Sequence, residues 1–384
     1  MMTPEFDKNL LLPIWKGSFS YEETGLFRSD DDEIPTLYKP TEIIRVTSYA
    51  KDVCYEEGVD FERTRYGIKR TKSSRIPVLS EDILYAPDLS DFFVTEENKK
   101  TRNTLFSQGV VYQKHQIRIT YEHEPCRRTL NVGEHSDRFD SFIKKLERGE
   151  NVTVFFLGDS ISYGCNTSML HNSPPYQPTW PLLVTMALAE KYGYGIRYAD
   201  IDIAPSDPIH LPFESDTEAD KLITYVNTSV GGWGISNAID KIDMHLKDPA
   251  RTFGCDLFVL GFGMNNRRTS ITEFREAMRT IVSELFAISP NTSTVLLSPM
   301  FLNPFDVARS PGTRAFMEEA MYSLADELFF DENKPCAVAP MNSVDRFILG
   351  HKRFIDSTGN GINHPNDYLA AVYAQTILAT LGII

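Results

Sequence analysis

The chain has 384 residues and a net charge of −14, and 42% of its residues are hydrophobic and 24% charged. This composition is typical of globular proteins and excludes a largely disordered chain. The length predicts two or three domains. The acidic excess, most of which lies beyond residue 150, disfavours a nucleic-acid-binding surface and a polyanionic substrate.

The sequence carries no signal for a membrane span or for secretion. No apolar run reaches the ~18 residues that a membrane helix needs. The first residues, MMTPEFDKNLLLPIWK, lack a basic region and a cleavage site, so we expect a cytoplasmic protein. The five scattered cysteines include no Cys-x-x-Cys pair, which argues against a disulfide framework and a zinc site. We therefore expect no metal and no cofactor.

The first 130 residues are predicted to form a β-rich accessory domain. Apolar and polar residues alternate over residues 116–122, the pattern of a half-buried strand. Residues 42–49 predict another strand, and residues 53–69 a hairpin with glycine turns. A small β-sandwich is the simplest architecture for this region.

Residues 131–384 are predicted to form an α/β domain. A helix is expected over residues 136–149, and apolar runs then alternate with helical stretches. This alternation predicts a parallel sheet with helices on both faces. The segments are 152–157, 182–192, 225–230, 235–245, 257–262, 271–287, 294–299, 316–329, 336–340 and 368–381.

One turn after a strand is a candidate for nucleophilic chemistry. The apolar run VTVFFL ends in Gly158-Asp159-Ser160. In an open α/β sheet, ligands bind beyond the carboxyl ends of the strands, so this turn would place the Ser160 hydroxyl in a crevice. By itself the tripeptide is weak evidence, because a structural turn in which Ser160 caps a helix accounts for it more readily.

Three later segments strengthen the catalytic interpretation. Gly232 lies in a glycine-rich stretch after a predicted strand, Asn265 follows the strand DLFVLGF, and His364 precedes an apolar helix. Together with Ser160 they offer a hydroxyl, a backbone donor, an amide donor and an imidazole. Those are the groups that an acyl-transfer site requires.

These four segments resemble, in order, the four sequence blocks of the SGNH (GDSL-type) hydrolases, over residues 152–380. The resemblance implies a flavodoxin-like three-layer α/β/α fold with five parallel strands. It also implies Ser160 as nucleophile, His364 as base, and an oxyanion hole formed by the Ser160 and Gly232 N–H groups and the Asn265 amide. With the β-rich region in front, the chain resembles two-domain carbohydrate esterases of that family.

The sequence departs from the family pattern at two positions. The usual Asp-x-x-His has Gly361 in place of the acid, and Asn266 stands where an aspartate is common. We expect His364 to be oriented by a backbone carbonyl, or by Asp356 brought back through the turn-forming residues 357–361, with Asp367 as a third candidate.

The predicted function is a serine esterase that removes short acyl groups, with acetyl on a carbohydrate favoured. A lipase, lysophospholipase or thioesterase of the same family, or an inactive binding module, are the alternatives. Trp233, Trp180 and Tyr176 are candidates for an aromatic wall against a sugar ring, or equally for loop packing. The other seven histidines show no metal-ligand spacing and are interpreted as structural. The oligomeric state is left open.

Overall fold

The computed structural model of the chain describes residues 6–85, 104–126, 130–200, 214–216, 218–266, 269–304 and 312–384. Its N-terminal part is rich in antiparallel strands, as the sequence predicts. Two sheets form there, with strand orders β1-β7-β3-β4 and β2-β6-β5. The strands are β1 (Phe19–Leu26), β2 (Glu33–Pro35), β3 (Pro40–Ser48), β4 (Cys54–Tyr55), β5 (Phe61–Arg63), β6 (Gly67–Arg70) and β7 (Gln116–His123).

The two N-terminal sheets share one hydrophobic core. Ile34 and Ile68 come from the three-stranded sheet, and Val46 and Ile119 come from the four-stranded sheet, all four fully buried. Face-to-face packing of two sheets over a common core is the arrangement of a β-sandwich. Two short helices, α1 (Glu81–Leu84) and α2 (Val111–His115), lie between β6 and β7 in the chain.

The C-terminal part is built on a six-stranded parallel sheet with the order β13-β12-β11-β8-β10-β9. Its strands are β8 (Val152–Gly158), β9 (Gly195–Tyr198), β10 (Leu222–Asn227), β11 (Leu257–Gly261), β12 (Ser293–Leu297) and β13 (Cys336–Ala339). The strand that the sequence segments omitted is β9. It has four residues at the sheet edge, one of them exposed, so it leaves no long apolar run to recognise.

Helices cover both faces of this sheet, which makes three layers. They are α3 (Asp140–Glu147), α4 (Ser160–Tyr163), α5 (Trp180–Tyr192), α6 (Ile235–Asp240), α7 (Asp248–Phe253), α8 (Ile271–Ile288), α9 (Gly312–Phe330), α10 (Met341–Leu349) and α11 (Asp367–Thr380). Successive side chains of β8 enter different cores: Val154 and Phe156 pack with α5 and α11, whereas Phe155 and Leu157 pack with α6 and α8. The α/β/α prediction is therefore confirmed.

The described residues also form short 3-10 and π-helical turns. The predicted helix over residues 136–149 begins as a 3-10 turn, Ser136–Phe139, and continues as α3. Two other 3-10 turns are Lys8–Leu11 and Phe354–Asp356, and Asp243–Lys247 is a π-helical turn after α6. No helix among the described residues is long and apolar enough to cross a membrane.

Contacts between the β-rich and α/β parts are extensive. Leu10, Leu11 and Trp15 are buried in the core of the α/β part. The Gln375 amide of α11 donates to the Leu10 carbonyl and accepts the Ile14 N–H. The division at residue 130 stays a prediction, but the chain on its N-terminal side packs directly against α11.

Buried ion pairs join the same two parts. Arg118 on β7 pairs with Asp367 at 2.7 Å and with Glu22 at 2.9 Å, and all three side chains are at most 2% exposed. Lys352 pairs with Glu23 at 2.6 Å, equally buried. Since a charge left alone in such a place is costly, these pairs hold the two parts in one relative position.

Candidate active site

Strand β8, which leads to Ser160, lies where the chain changes the side of the sheet on which it adds strands. From β8 the chain first adds β9 and β10 on one side, and then β11, β12 and β13 on the other. A crevice opens at the carboxyl ends of the strands at such a switch point. The loops after β10 and β11 therefore flank the turn after β8.

Local chemistry explains the shape of this turn. Asp159 is the N-cap of α4, and its carboxylate oxygen Oδ1 accepts the Ile161 N–H at 2.9 Å. Gly158 has no room for a side chain, because a Cβ there would collide with Ser162 and with the Gly261 carbonyl. Glycine therefore lets β8 and β11 approach, and Ser160 becomes the first residue of α4.

Ser160 and His364 are brought together, and a third residue joins them. The Ser160 Oγ lies 2.8 Å from Nε2 of His364, and the His364 Nδ1 lies 2.6 Å from Oδ1 of Asn166. The three residues are 5%, 6% and 2% exposed. Ser160 is thus recessed rather than solvent-facing.

The surroundings of Asn166 determine which way its amide points. Its Nδ2 lies 3.4 Å from the Ser107 carbonyl, 3.5 Å from the Gln108 carbonyl and 3.2 Å from Nε2 of His171. Carbonyl oxygens only accept, so the NH₂ group faces them and the amide oxygen faces His364. The proton of His364 is then on Nδ1, which leaves Nε2 free to accept the Ser160 hydroxyl proton.

Asp356 does not orient His364, so that prediction is wrong. Its Oδ1 accepts hydrogen bonds from the Leu26 N–H at 3.0 Å and from Nη2 of Arg353 at 2.8 Å. Its Oδ2 accepts hydrogen bonds from the backbone N–H and from Nε of Arg353. The side chain is fully buried toward β1. The carboxylate is engaged there, away from the imidazole.

The other two expected partners are also replaced. The Asp367 carboxylate accepts the Ser168 N–H at 2.8 Å and pairs with Arg118. The expected backbone carbonyl gives way to the side-chain carbonyl of Asn166. Sequence reasoning missed this residue because no motif or spacing links Asn166 to His364, which lies 198 positions away in the chain. The sequence signal at Asn166 was an Asn-x-Ser sequon, which points to a surface rather than to a catalytic centre.

Gly361 explains why the usual acid is missing. Its φ is +82°, and a Cβ there would collide with the Leu105 carbonyl and the Tyr112 hydroxyl. An aspartate has no space at this position and would be strained in that conformation. The segment that carries Leu105 thus fills the place where the family's carboxylate would start.

Asn360 organises the loop that carries His364. Its Oδ1 accepts the N–H groups of Ile362, Asn363 and His364 at 2.9, 2.9 and 3.0 Å. The loop also packs closely on Asn166, since a Cβ on Gly359 would lie 2.6 Å from the Asn166 Cβ. The turn-forming residues therefore fold around Asn360 and press the loop against Asn166.

The predicted oxyanion donors lie on the loops that flank Ser160. A Cβ on Gly231 would lie 4.0 Å from the Ser160 Cβ, so the exposed pair Gly231-Gly232 runs beside Ser160. The Asn265 amide, after β11, donates to the Trp233 carbonyl at 3.0 Å. Asn266 instead accepts the Ile235 N–H at the start of α6, a structural role.

The three aromatic candidates differ in position. Trp180 is fully buried, and its Nε1 donates to the Ile161 carbonyl at 2.8 Å, so the prediction of a substrate contact is wrong for Trp180. Trp233 and Tyr176 are half-buried. The Trp233 ring packs on His245 at 4.4 Å between ring centres. Trp233 and Tyr176 keep their predicted role as a proposal.

Metal binding finds no support in the residues that the structure describes. No group of three or more histidine, cysteine, aspartate or glutamate side chains there could hold a metal ion.

Comparison with known proteins finds similar folds but no sequence relatives. No family model matches the chain, and no curated protein matches it. Among solved structures, a two-domain esterase active on acetylated mannans matches with 15% identity and a TM-score of 0.43. That match covers 64% of this chain and 52% of the other, so the chain spans about half of that esterase.

Two further matches cover nearly all of the other chain. A variant of an acetyl xylan esterase from Geobacillus stearothermophilus is 12% identical, with 61% and 96% of the two chains covered and a TM-score of 0.41. A candidate SGNH hydrolase from Slackia heliotrinireducens is 12% identical, with 61% and 100% covered and a TM-score of 0.40. SGNH hydrolases and carbohydrate esterases are thus among the similar structures.

Proposed function

We propose that the chain is a serine esterase, a hydrolase of carboxylic esters. The observation that carries this proposal is the continuous hydrogen-bonded series Ser160–His364–Asn166 at the carboxyl end of β8. A hydroxyl, a base and a group that orients the base are the parts of nucleophilic acyl transfer.

The first half of the reaction uses His364 as the general base. Nε2 takes the Ser160 proton while Oγ attacks the ester carbonyl, and the tetrahedral intermediate then collapses as the imidazolium returns the proton to the leaving alcohol. A water molecule, deprotonated by the same Nε2, hydrolyses the acyl-enzyme. Serine and neutral histidine are thereby regenerated.

The oxyanion would be held by donors around the nucleophile. We assign this role to the N–H groups of Ser160 and Gly232 and to the Asn265 amide. One Asn265 amide hydrogen is held by the Trp233 carbonyl, which fixes the direction of the other. Removing one donor of an oxyanion hole typically costs ~3 kcal/mol in the transition state.

Asn166 takes the place of the usual carboxylate and changes the electrostatics of the triad. Its carbonyl accepts the Nδ1 proton and so sets the tautomer and the ring orientation, but it carries no charge to stabilise the imidazolium. A histidine–asparagine pair performs the same orienting task in papain-like cysteine proteases. The site therefore relies on orientation and on the oxyanion donors.

A short acyl group on a carbohydrate is the substrate class that we favour. The recessed Ser160, 5% exposed, favours a small acyl group over a long chain. The half-buried Trp233 and Tyr176 could contact a sugar ring. The net charge of −14 disfavours polyanionic substrates.

Replacing the nucleophile tests the proposal. Ser160→Ala should lower kcat on p-nitrophenyl acetate by a factor on the order of 10⁴ to 10⁶ and abolish labelling by a fluorophosphonate probe. Ser162→Ala, in the same turn of helix, is the matched control and should keep both. Higher activity on p-nitrophenyl palmitate would indicate a lipase. A wild-type chain that neither turns over esters nor reacts with the probe would indicate a binding module.

A further inference from the structure

His171 contacts the side of Asn166 that faces away from the catalytic histidine. The His171 Nε2 is 3.2 Å from the Asn166 Nδ2, the shortest of three contacts made by that amide nitrogen. The two carbonyl contacts, to Ser107 and Gln108, are 3.4 and 3.5 Å long and correspondingly weak. His171 is therefore the strongest acceptor for the Asn166 NH₂ group.

We propose that His171 is a positioning residue which, as a neutral imidazole, holds the Asn166 amide with its oxygen toward His364. This inference rests on the proposed esterase function, because it concerns the base of that reaction. It adds a fourth residue to the series Ser160–His364–Asn166.

Loss of the contact between His171 and the Asn166 NH₂ group would change the hydrogen bond that Asn166 makes to His364. If the Asn166 amide turns over, its NH₂ group meets Nδ1 of His364. The imidazole must then carry its proton on Nε2 to avoid two opposed donors. An Nε2–H tautomer cannot accept the Ser160 proton, so the base is lost while the fold stays unchanged.

The charge state of His171 matters for the same reason. A protonated ring would direct an N–H at the Asn166 NH₂ group and break the contact. Among the described residues, the charged group that acts on His171 is the Asp367 carboxylate from α11, which favours protonation and is itself paired with Arg118 from β7; His364 lies beyond Asn166. Burial nevertheless lowers the pKa of His171 below its ordinary value. The ring therefore stays neutral at neutral pH.

Two substitutions separate positioning from packing. His171→Leu removes the acceptor, and we expect kcat on p-nitrophenyl acetate to fall about 10- to 100-fold with KM nearly unchanged. His171→Gln offers an amide oxygen to the same NH₂ group and should stay within about 3-fold of wild type. His351→Leu, an exposed histidine at the end of α10, is the control and should change nothing.

A spectroscopic measurement on the full chain provides an independent test. ¹⁵N NMR of the imidazole nitrogens should show His364 protonated on Nδ1 in the wild type and in His171→Gln, and a shift toward Nε2–H in His171→Leu. Unchanged kcat and an unchanged tautomer in His171→Leu would overturn the proposal, as would an equal loss of kcat in both variants. Since the tautomer is read without substrate, failure of the esterase function itself would appear separately, as an inert wild type.

Discussion

The two sides of the candidate site are built in different ways. On the nucleophile side, Ser160 is positioned by its own β–α turn, through the cap of Asp159 and the close approach at Gly158. On the histidine side, Asn166 and the loop of His364 are held by groups from distant parts of the chain. The nucleophile is thus placed by local structure, and the base by tertiary structure.

The N-terminal region supplies several of the groups that contact Asn166 on the histidine side. Its residues Ser107 and Gln108 present carbonyls to the Asn166 side chain, and the Gln113 amide donates to the Asn166 backbone carbonyl at 3.0 Å. Because the four predicted site elements all lie beyond residue 130, the sequence by itself predicts that the β-rich region affects stability or substrate choice more than the chemistry. The contacts argue instead that it helps to orient the base.

On the histidine side, we expect the largest loss of activity from a substitution of Asn166, the residue that contacts the His364 ring. Asn166→Leu removes the acceptor for Nδ1 of His364, and kcat should fall by roughly 10³- to 10⁴-fold, as with loss of the correct tautomer in Ser–His–Asp hydrolases. Steady-state kinetics on a short ester measures it. Asn291→Leu, at an exposed asparagine, is the control. A loss below about 5-fold would mean that Asn166 does not orient the base.

A second substitution breaks one of the buried ionic contacts between the two parts. Arg118→Met leaves the buried carboxylates of Glu22 and Asp367 without their shared partner, which should cost ~3–5 kcal/mol in free energy of unfolding. Arg45→Met removes a half-exposed partner of Glu22 and should cost less than ~1 kcal/mol. Urea denaturation compares them, and equal effects would contradict the assigned role of the buried ion pairs.

Asp356→Asn should change the stability of the protein without changing its activity. The change weakens the bonds to Arg353 and the Leu26 N–H, so the free energy of unfolding should fall by ~1–3 kcal/mol. The kcat of the folded enzyme should stay within a few-fold of wild type. A 100-fold loss of kcat with an intact fold would restore Asp356 as a catalytic acid.

The smallest expected effect concerns Gln113. Gln113→Met removes the donor to the Asn166 backbone, and we expect kcat to fall by up to about 10-fold because Asn166 is held less firmly. The Gln113 Oε1 is buried and accepts no hydrogen bond from the described residues, so its removal should offset the loss in stability. Thermal unfolding and kinetics together test this, and a large drop in Tm with unchanged kcat would contradict it.

The sequence by itself determined the order of the βα units and the residues at their tips. Apolar periodicity is a local property, so most strands and helices of the α/β part follow from it with bounds that differ by a few residues, whereas β9 and α10 were not predicted. The position of Ser160 at a crevice follows from its place after a strand of an open α/β sheet, and the resemblance to the SGNH sequence blocks implied that His364 would meet it.

Only the tertiary structure decided what orients His364 and what the aromatic residues do. Gly361 excludes the usual acid because the chain near Leu105 occupies its space, and the Asn166 NH₂ group meets acceptors from His171 and from two carbonyls of the N-terminal region. Trp180 likewise is buried by α5 docking on the sheet. Such outcomes depend on contacts between residues far apart in the chain, and periodicity and turn chemistry carry no information about those contacts.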